Sequence, residues 1–444
     1  MTNQDSYISP YSPNTDADRR LMLDAIGVDS VDELFSDIPE EHRNPTLDLP
    51  PPMSEFDLKR YFADLASMNK TPGEYACFLG AGSYRHHIPA IVRQLTSRSE
   101  FMTAYTPYQP EISQGTLQTE FEFQTLCAQL TGMDVANAGM YDGSTSLAEA
   151  VLMAARVTRR NHVAVLDSVS PAYISVLRTY TEAPGITIDV VSAENLAITE
   201  ETACLVAQQP NFLGYMQDMQ SLSQQAHNVG ALSVVYADAL SMAMFTPPGD
   251  YGADIVASEG QALGVPPTFG GPYVGIFACK QDYIRQMPGR IVGRTVDTQG
   301  RTAYVLTLQT REQHIRRERA TSNICTSVAL IALMTTVYMA ANGRHGMRQT
   351  AELTYQKSHY LASLIQGIPG YSVVDGGVFF QEFVVQCPSS PSTLNEQLLD
   401  YKIIGGLDIS DRVDNGMLVC ATEVNTREEI DSFACALTEI GASA

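Results

Sequence analysis

Two strand ends near the middle of the chain carry residue types that could do chemistry. A buried strand is predicted over residues 231–237 and ends on Asp238. A second strand is predicted over residues 253–259, and an open loop punctuated by glycines follows it. A carboxylate at the first strand end could pair with a protonated ring nitrogen, and an amine at the second could act as a nucleophile. That amine is absent, since no lysine occurs between residues 71 and 279.

This plan is typical of enzymes that use pyridoxal phosphate on a large α/β domain. In them an aspartate pairs with the pyridine nitrogen, and a lysine at the second strand end forms the Schiff base. The lysine is expected near Gln261 or Ala262 and is missing there. Lys280 comes one strand too late, so we interpret it as a solvated surface side chain; a cofactor enzyme that uses Lys280 is the disfavoured alternative. The pattern predicts an active-site frame that has lost its nucleophile.

A turn before a predicted helix could hold an anion. Gly143, Ser144 and Thr145 open this helix, and backbone N–H groups with hydroxyls at a helix start can face a phosphate. A simple helix cap is the commoner use of such residues. The turn is therefore a candidate phosphate site with a structural alternative.

A second hydroxyl-rich segment follows a charged helical run over residues 313–320. Most arginines of that run are expected to form a solvated basic face. Thr321, Ser322 and Asn323 are better candidates for an anion contact, because their short side chains can donate to phosphate oxygens.

The segment 105–115 combines reactive side chains with residues that prevent regular structure. Two prolines and a glycine predict an irregular loop. Tyr105, Thr106, Tyr108 and Glu111 supply hydroxyls, rings and a carboxylate. A packed surface loop is the alternative to a binding loop.

The elements around these segments indicate the fold class. Short apolar strands alternate with helices from residue 163 to residue 236, which predicts a mostly parallel sheet with ligands at the carboxyl ends of its strands. We predict an α/β fold with a large domain of the pyridoxal-phosphate aminotransferase-like (fold type I) class. The expected domains are an N-terminal arm with helices over 1–75, the large domain over 76–345 and a small C-terminal α/β domain over 346–444.

Composition excludes several kinds of partner. The formal net charge of −22 argues against nucleic acid and anionic membranes, which need a basic surface. The eight cysteines are scattered without a CxxC pair, so we expect buried, reduced thiols and a cytoplasmic protein without a bound metal. The first 18 residues are polar, unlike a signal peptide. The longest apolar run, 328–341, is too short to span a bilayer.

Longer motifs carry a resemblance to a known family. Over essentially its whole length the chain resembles the α subunits of two-chain P-proteins of the glycine cleavage system. The most specific stretches are 78–84 (FLGAGSY), 97–101 (SRSEF), 105–115, 130–137 (LTGMDVAN), 140–143 (MYDG), 309–317 (QTREQHIRR) and 321–326 (TSNICT).

The resemblance implies a partner and a reaction. In that family an α chain and a β chain assemble as α2β2, and the β chain carries the lysine and the pyridoxal phosphate. Glycine is decarboxylated there, with the pyridinium ring as electron sink, and the aminomethyl group passes to the lipoyl arm of the H-protein, whose disulfide is reduced. The missing lysine agrees with an α chain.

The resemblance also gives the candidate residues their expected roles. We expect this chain to complete the β active site, with the 321–323 segment, Thr321 first, at the cofactor phosphate and the 105–111 residues lining the mouth toward the lipoyl arm. Asp238, with Gly143, Ser144 and Thr145, would be a vestigial cofactor site. The alternative is a non-catalytic partner that only stabilises β and docks the H-protein.

Overall fold

The computed structural model describes residues 11, 14–43, 45–325 and 328–443, and they divide into two compact units, the first ending at residue 69 and the second beginning at residue 70. The first unit holds two helices, α1 (Asp16–Ile26) and α2 (Glu55–Ser67). No residue of either helix is buried. Thr15 and Ser54 cap them through hydroxyls that accept from backbone N–H groups. The domain boundaries given above stay a prediction.

The second unit is an α/β structure with ten further helices and fifteen strands among its described residues. Its helices are α3 (Ala90–Thr96), α4 (Ser99–Met102), α5 (Gln114–Thr131), α6 (Gly143–Thr158), α7 (Pro171–Glu182), α8 (Met219–Asn228), α9 (Gln313–Arg316), α10 (Ala329–Gln366), α11 (Pro391–Leu398) and α12 (Arg427–Ser443). Its strands are β1 (Ala76–Cys77), β2 (Val135–Ala136), β3 (His162–Leu166), β4 (Thr187–Val191), β5 (Thr202–Gln209), β6 (Leu232–Ala237), β7 (Ile255–Glu259), β8 (Gly275–Cys279), β9 (Ile291–Val296), β10 (Thr302–Thr307), β11 (Ser372–Val373), β12 (Glu382–Gln386), β13 (Ile403–Ile404), β14 (Leu407–Asp408) and β15 (Gly416–Cys420).

A seven-stranded sheet with the order β2-β8-β7-β6-β5-β3-β4 forms the centre of this unit. The five strands from β7 to β4 are parallel, whereas β8 pairs antiparallel with β7 and with β2. Every residue of β6 is buried, as expected of a strand covered on both faces, while the edge strand β4 keeps several residues exposed. The prediction of an α/β fold with a mostly parallel sheet is confirmed.

A four-stranded sheet, β11-β12-β15-β14, forms the C-terminal part of the unit. Its apolar side chains share a second core with the end of α10 and with α12, where Phe78 stacks on Phe433 at a centroid distance of 4.4 Å. Residues from β12 also reach the central sheet, and they contribute to the site described below.

The structure adds to or corrects the sequence analysis at three places. The apolar run 328–341 opens α10, which kinks at Gly343 and continues to Gln366. Lys280 is a surface side chain, 38% exposed, but it is also paired: Nζ donates to Oδ1 of buried Asp254 at 2.6 Å. The antiparallel course of β8 places it at the end of the sheet opposite Asp238. The cysteines are all free and described, but Cys325 and Cys435 are exposed.

Among the helices of the described residues, none has both the length and the apolar character that crossing a membrane would need.

Candidate functional site

A pocket lies where the parallel strands end, between β6, β7 and the neighbouring segments of the C-terminal sheet. We call it the strand-end pocket. It encloses about 30 Å³, which is small enough for water alone to fill it. Its lining consists of Ala81, Gly82, Tyr84, Ser170, Tyr173, Gln208, Pro210, Asn211, Phe212, Gly214, Tyr236, Asp238, Glu259, Gln261, Ala262, Gln381 and Glu382.

Asp238 follows β6 and points into hydrogen bonds within the chain. Its Oδ1 accepts from the backbone N–H of Ser241 at 2.7 Å, and its Oδ2 accepts from the amide of Gln381 at 3.1 Å. Burial raises the pKa of this carboxyl, while its hydrogen bonds oppose the shift. Both carboxylate oxygens therefore have partners in the chain itself.

Gln261 stands near the position where a lysine was expected, and the protein uses it as a structural link. Its Oε1 accepts from the N–H of Tyr84 at 2.8 Å, and its Nε2 donates to the carbonyl oxygens of Tyr84 and Val265, both at 2.8 Å. The side chain is buried and all of its bonds go to backbone. It holds the 78–84 loop against the end of β7.

A carboxylate occupies the start of α6, where a phosphate was expected. The N–H of Gly143 donates to Oε2 of Glu259 at 2.8 Å, and the N–H of Gln261 donates to its Oε1 at 3.1 Å. Only glycine permits this approach, because a Cβ on residue 143 would lie 2.8 Å from the Tyr236 hydroxyl and 3.0 Å from the Glu259 nitrogen. Glu259 thus takes the N–H group that a bound phosphate would need.

The hydroxyls of the same turn are also engaged. Ser144 and Thr145 both donate to Oδ1 of Asp142, at 2.8 and 2.9 Å, and Asp142 caps the helix through the N–H of Thr145 at 2.7 Å. A second carboxylate therefore stands beside Glu259 at this helix start.

The strand-end pocket is acidic. Glu382, on β12, accepts from the N–H of Ala81 at 2.5 Å and from the Tyr84 hydroxyl at 2.8 Å. Removal from water raises the pKa of Glu382 to about 7 and that of Glu259 to about 8. Three carboxyls line the pocket, and no lysine, arginine or histidine is among its lining residues in the described part of the chain.

These residues do not fit pyridoxal phosphate. The enclosed space is too small, the lysine is replaced by a hydrogen-bonded glutamine, and the phosphate position is filled by Glu259. An anionic group placed there would also meet carboxyls instead of basic side chains.

A second candidate site lies where the 105–115 loop meets the segment that begins at Thr321. Arg290 donates from Nη2 to the Tyr108 hydroxyl at 2.8 Å and to the carbonyl oxygen of Cys325 at 2.6 Å, and its side chain is 6% exposed. Its guanidinium lies 5.3 Å from the centre of the Tyr108 ring. We call the adjoining depression the arginine pocket, which is lined by Gly289, Arg290, Arg311, Glu312, Thr321, Ser322 and Ile324.

The candidate residues of these loops differ in exposure and contacts. Tyr105 is 71% exposed, Glu111 is exposed and Thr106 is partly buried. The N–H of Thr321 donates to the carbonyl oxygen of Arg311 at 2.9 Å, and Ser322 donates to Oε1 of Glu149 at 2.5 Å. Asn323 is exposed, and Thr326, the last residue of its motif, lies outside the described residues.

Sequence reasoning missed Glu259, Glu382, Arg290 and Arg311. A signal existed for Glu259, because it directly precedes the glycine loop that lacks the lysine. Glu382 and Arg290 act across more than a hundred residues of chain, and their local sequence gives no sign of their partners. In the described part of the chain, no group of three or more His, Cys, Asp or Glu side chains is placed to hold a metal ion.

Comparison with known proteins gives one consistent result. The family described as glycine cleavage system P-protein matches residues 9–437. The probable glycine dehydrogenase (decarboxylating) subunit 1 of Thermomicrobium roseum is 48% identical over 443 residues, which cover 97% of this chain and 99% of that protein. A protein of the same name from Desulforamulus reducens is 47% identical with the same coverage.

Solved structures agree with this result. A crystal structure of glycine decarboxylase (P-protein) of the glycine cleavage system, in inhibitor-bound form, superposes with a TM-score of 0.92 at 42% identity and covers 97% of this chain and 100% of that one. A sphingosine-1-phosphate lyase from Burkholderia pseudomallei shares the fold at 16% identity, with a TM-score of 0.63 over 91% of this chain and 95% of the lyase. The predicted fold type I class is confirmed.

Proposed function

This chain belongs to the glycine cleavage system P-protein family, and we propose that it is the α subunit of a two-chain glycine dehydrogenase (decarboxylating) that works on a partner's cofactor. Its relatives carry the designation subunit 1, which supports a partner subunit. The proposed assembly is α2β2 in the cytoplasm, where free thiols such as these eight persist.

The observation that carries the proposal is the strand-end pocket. Glu259 fills the helix start, Gln261 replaces the lysine, and the enclosed volume leaves no room for a cofactor ring. A chain that belongs to a glycine decarboxylase family and cannot hold pyridoxal phosphate in this pocket needs another chain that does. We assign the cofactor to the β subunit, where it would supply the electron sink for decarboxylation.

The contribution of this chain to the partner's site comes from the two loops joined by Arg290. Tyr108, whose hydroxyl accepts from Arg290, is 39% exposed, and Tyr105, three residues earlier in the same loop, is 71% exposed, so both present aromatic surface. Aromatic side chains of this kind are enriched where protein surfaces meet. The loops would orient the partner's site and exclude water from it, and the lipoyl arm of the H-protein would enter past the 105–111 segment.

The contact proposed for Thr321 is tested in the reconstituted complex. We expect Thr321→Ala to weaken retention of pyridoxal phosphate and to lower glycine decarboxylation roughly tenfold, the effect of about 1.4 kcal/mol. Thr310→Ala, an exposed threonine of the preceding segment, is the matched control. Unchanged cofactor affinity and unchanged decarboxylation would remove Thr321 from the site.

The same complex separates a catalytic contribution from a purely structural one. Tyr105→Ala is expected to lower turnover while α–β assembly, measured by sedimentation, stays intact, because Tyr105 is largely exposed. If the substitution disrupts assembly alone, this chain only stabilises β and docks the H-protein.

A further inference from the structure

The strand-end pocket holds negative charge that its lining does not balance. Asp238, Glu259 and Glu382 line it, and none of its described lining residues is a lysine, arginine or histidine. The donors that reach the three carboxyls are neutral: backbone N–H groups, the Tyr84 hydroxyl and the Gln381 amide. Buried carboxyls are stable when a cation pairs with them or when they take up a proton. A positive charge from outside the chain is therefore one way to complete the pocket.

A neutral side chain in the same pocket indicates a missing donor. Gln381 is 3% exposed, and its Nε2 donates to Oδ2 of Asp238 at 3.1 Å. This contact uses the NH₂ end of the amide, and the oxygen, Oε1, is buried without a hydrogen-bond partner among the residues that the structure describes. Buried amide oxygens normally accept at least one bond. The pocket therefore needs a donor as well as a positive charge.

The basic side chain whose charge reaches Asp238 is already paired elsewhere. This side chain is His86, which is 2% exposed and lies with Nδ1 at 2.7 Å from Oε2 of Glu423. A proton on His86 would be balanced by the carboxylate of Glu423, so the pair adds no net positive charge. The tyrosines that face the pocket stay neutral, because burial raises the pKa of each of their hydroxyls; they are Tyr84, Tyr173 and Tyr236.

The size of the pocket selects among cations. Its volume of about 30 Å³ has room for about one or two particles of the size of water. An ammonium ion has this size and carries its charge with an N–H donor at each corner of a tetrahedron, whereas an amine on a carbon chain is larger. Hard metal ions take about six or more oxygen ligands, and the described part of the chain has no cluster of His, Cys, Asp or Glu placed to hold a metal.

We propose that the strand-end pocket binds an ammonium ion, held by Oε1 of Gln381 and by the carboxylates of Asp238 and Glu382. An ionised carboxylate has about four lone-pair sites, so both carboxylates can accept a further bond beside those described above. Glu259 contributes its charge from the opposite wall. The inference goes beyond the proposed function, since it requires neither a partner subunit nor a cofactor.

The site is tested by titrating the full chain with ammonium chloride at pH 8.5. Tetramethylammonium chloride, whose cation is too large for the pocket, keeps the chloride concentration and the ionic strength constant. We expect a saturable rise in the unfolding temperature, because a ligand that binds only the folded state stabilises it. No saturable rise in the wild type would overturn the proposal.

Two variants locate the binding in the pocket. Glu382→Gln removes one charge but can still accept from the N–H of Ala81, and it should raise the apparent dissociation constant for ammonium roughly tenfold or more, since a bond to a charged group is lost. Glu194→Gln, at an exposed position, should behave as wild type. An equal affinity in wild type and Glu382→Gln would contradict the assignment.

Protons compete with ammonium for the same carboxyls. The pKa of Glu382 is raised to about 7 and that of Glu259 to about 8, so at pH 6 both are mostly protonated and the affinity should be roughly tenfold or more below that at pH 8.5. An affinity that is the same at both pH values would place any binding outside this pocket.

A direct measurement does not depend on any variant. Crystals of the full chain soaked in thallium(I), a heavy monovalent ion of similar size, should show anomalous density beside Gln381, and excess ammonium should remove it. The absence of such density would overturn the proposal. Potassium has the same charge and similar size but no N–H donors, so a potassium titration identifies the occupant. Tighter binding of potassium than of ammonium would overturn the assignment to ammonium.

Discussion

The acidic strand-end pocket makes folding stability depend on pH in a defined direction. In the folded protein the pKa of Glu259 is raised from 4.5 to about 8, so the folded state keeps a proton that the unfolded chain releases near pH 4.5. The stability tied to that proton is fully present below pH 4.5 and is lost as pH rises toward 8. A shift of this size corresponds at most to something on the order of 5 kcal/mol.

Replacing Glu259 by glutamine removes the ionisation and keeps the shape. Glutamine can still accept from the N–H of Gly143, but its NH₂ group would face the N–H of Gln261, so at pH 5 we expect a loss of about 1 kcal/mol. At pH 8.5 the wild type bears the cost of a buried carboxylate and the variant does not. The variant should then be the more stable protein, by up to about 4 kcal/mol once the loss of about 1 kcal/mol is subtracted.

The assay is urea unfolding of both proteins from pH 5 to pH 8.5 at constant ionic strength. Glu382, whose pKa is raised to about 7, titrates in the same pocket, and Asp238 lies beside it. Comparison of the two proteins at each pH isolates Glu259 from these groups. Glu194→Gln, at an exposed position, serves as control. Parallel stability curves for wild type and Glu259→Gln would refute the reasoning.

Two further substitutions test the same structure. Gln261→Lys should lower the free energy of unfolding by about 3 kcal/mol, because it leaves the Tyr84 N–H without its acceptor. The variant mixed with pyridoxal phosphate should also show no absorbance band of a Schiff base. A yellow, stable variant would contradict the account of the strand-end pocket. Asp254→Asn should lower the free energy of unfolding, measured with urea, by about 2 kcal/mol, since buried Asp254 accepts from Lys280 at 2.6 Å and from His227 at 2.7 Å. A change below about 0.5 kcal/mol would show that these two pairs contribute little to stability.

Local patterns predicted much of the fold. The strands β6 and β7 lie where their apolar runs placed them, and α6 begins at the predicted turn. These elements depend on side chains close together in sequence. The direction of a strand depends on the connections around it, and β8, which is buried along its whole length like β6, nevertheless runs antiparallel to β7. The reversal is what carries Lys280 to the opposite edge of the sheet.

In the candidate site, too, local sequence predicted some features, whereas contacts between distant residues could not be predicted. Sequence indicated that a nucleophile was missing near Gln261 but gave no indication of what filled the space. A helix start needs acceptors for its first N–H groups, and Gly143 and Glu259 are 116 residues apart. Arg290 likewise reaches Tyr108 across 182 residues. Such pairs form only when the sheet brings its connections together, so no local spacing could reveal them.

The charges of the two pockets indicate which of them serves an anion. At the strand ends, the donors at the start of α6 are used by Asp142 and Glu259, and the carboxyls of Asp238 and Glu382 would repel a phosphate. In the arginine pocket the imbalance has the opposite sign, with two guanidinium groups against one carboxylate. Glu312 Oε1 is itself a buried oxygen without a hydrogen-bond partner among the described residues, so the arginine pocket leaves groups of both kinds unpaired. The carboxyls of the strand-end pocket repel an anionic group, whereas the two guanidinium groups of the arginine pocket attract one.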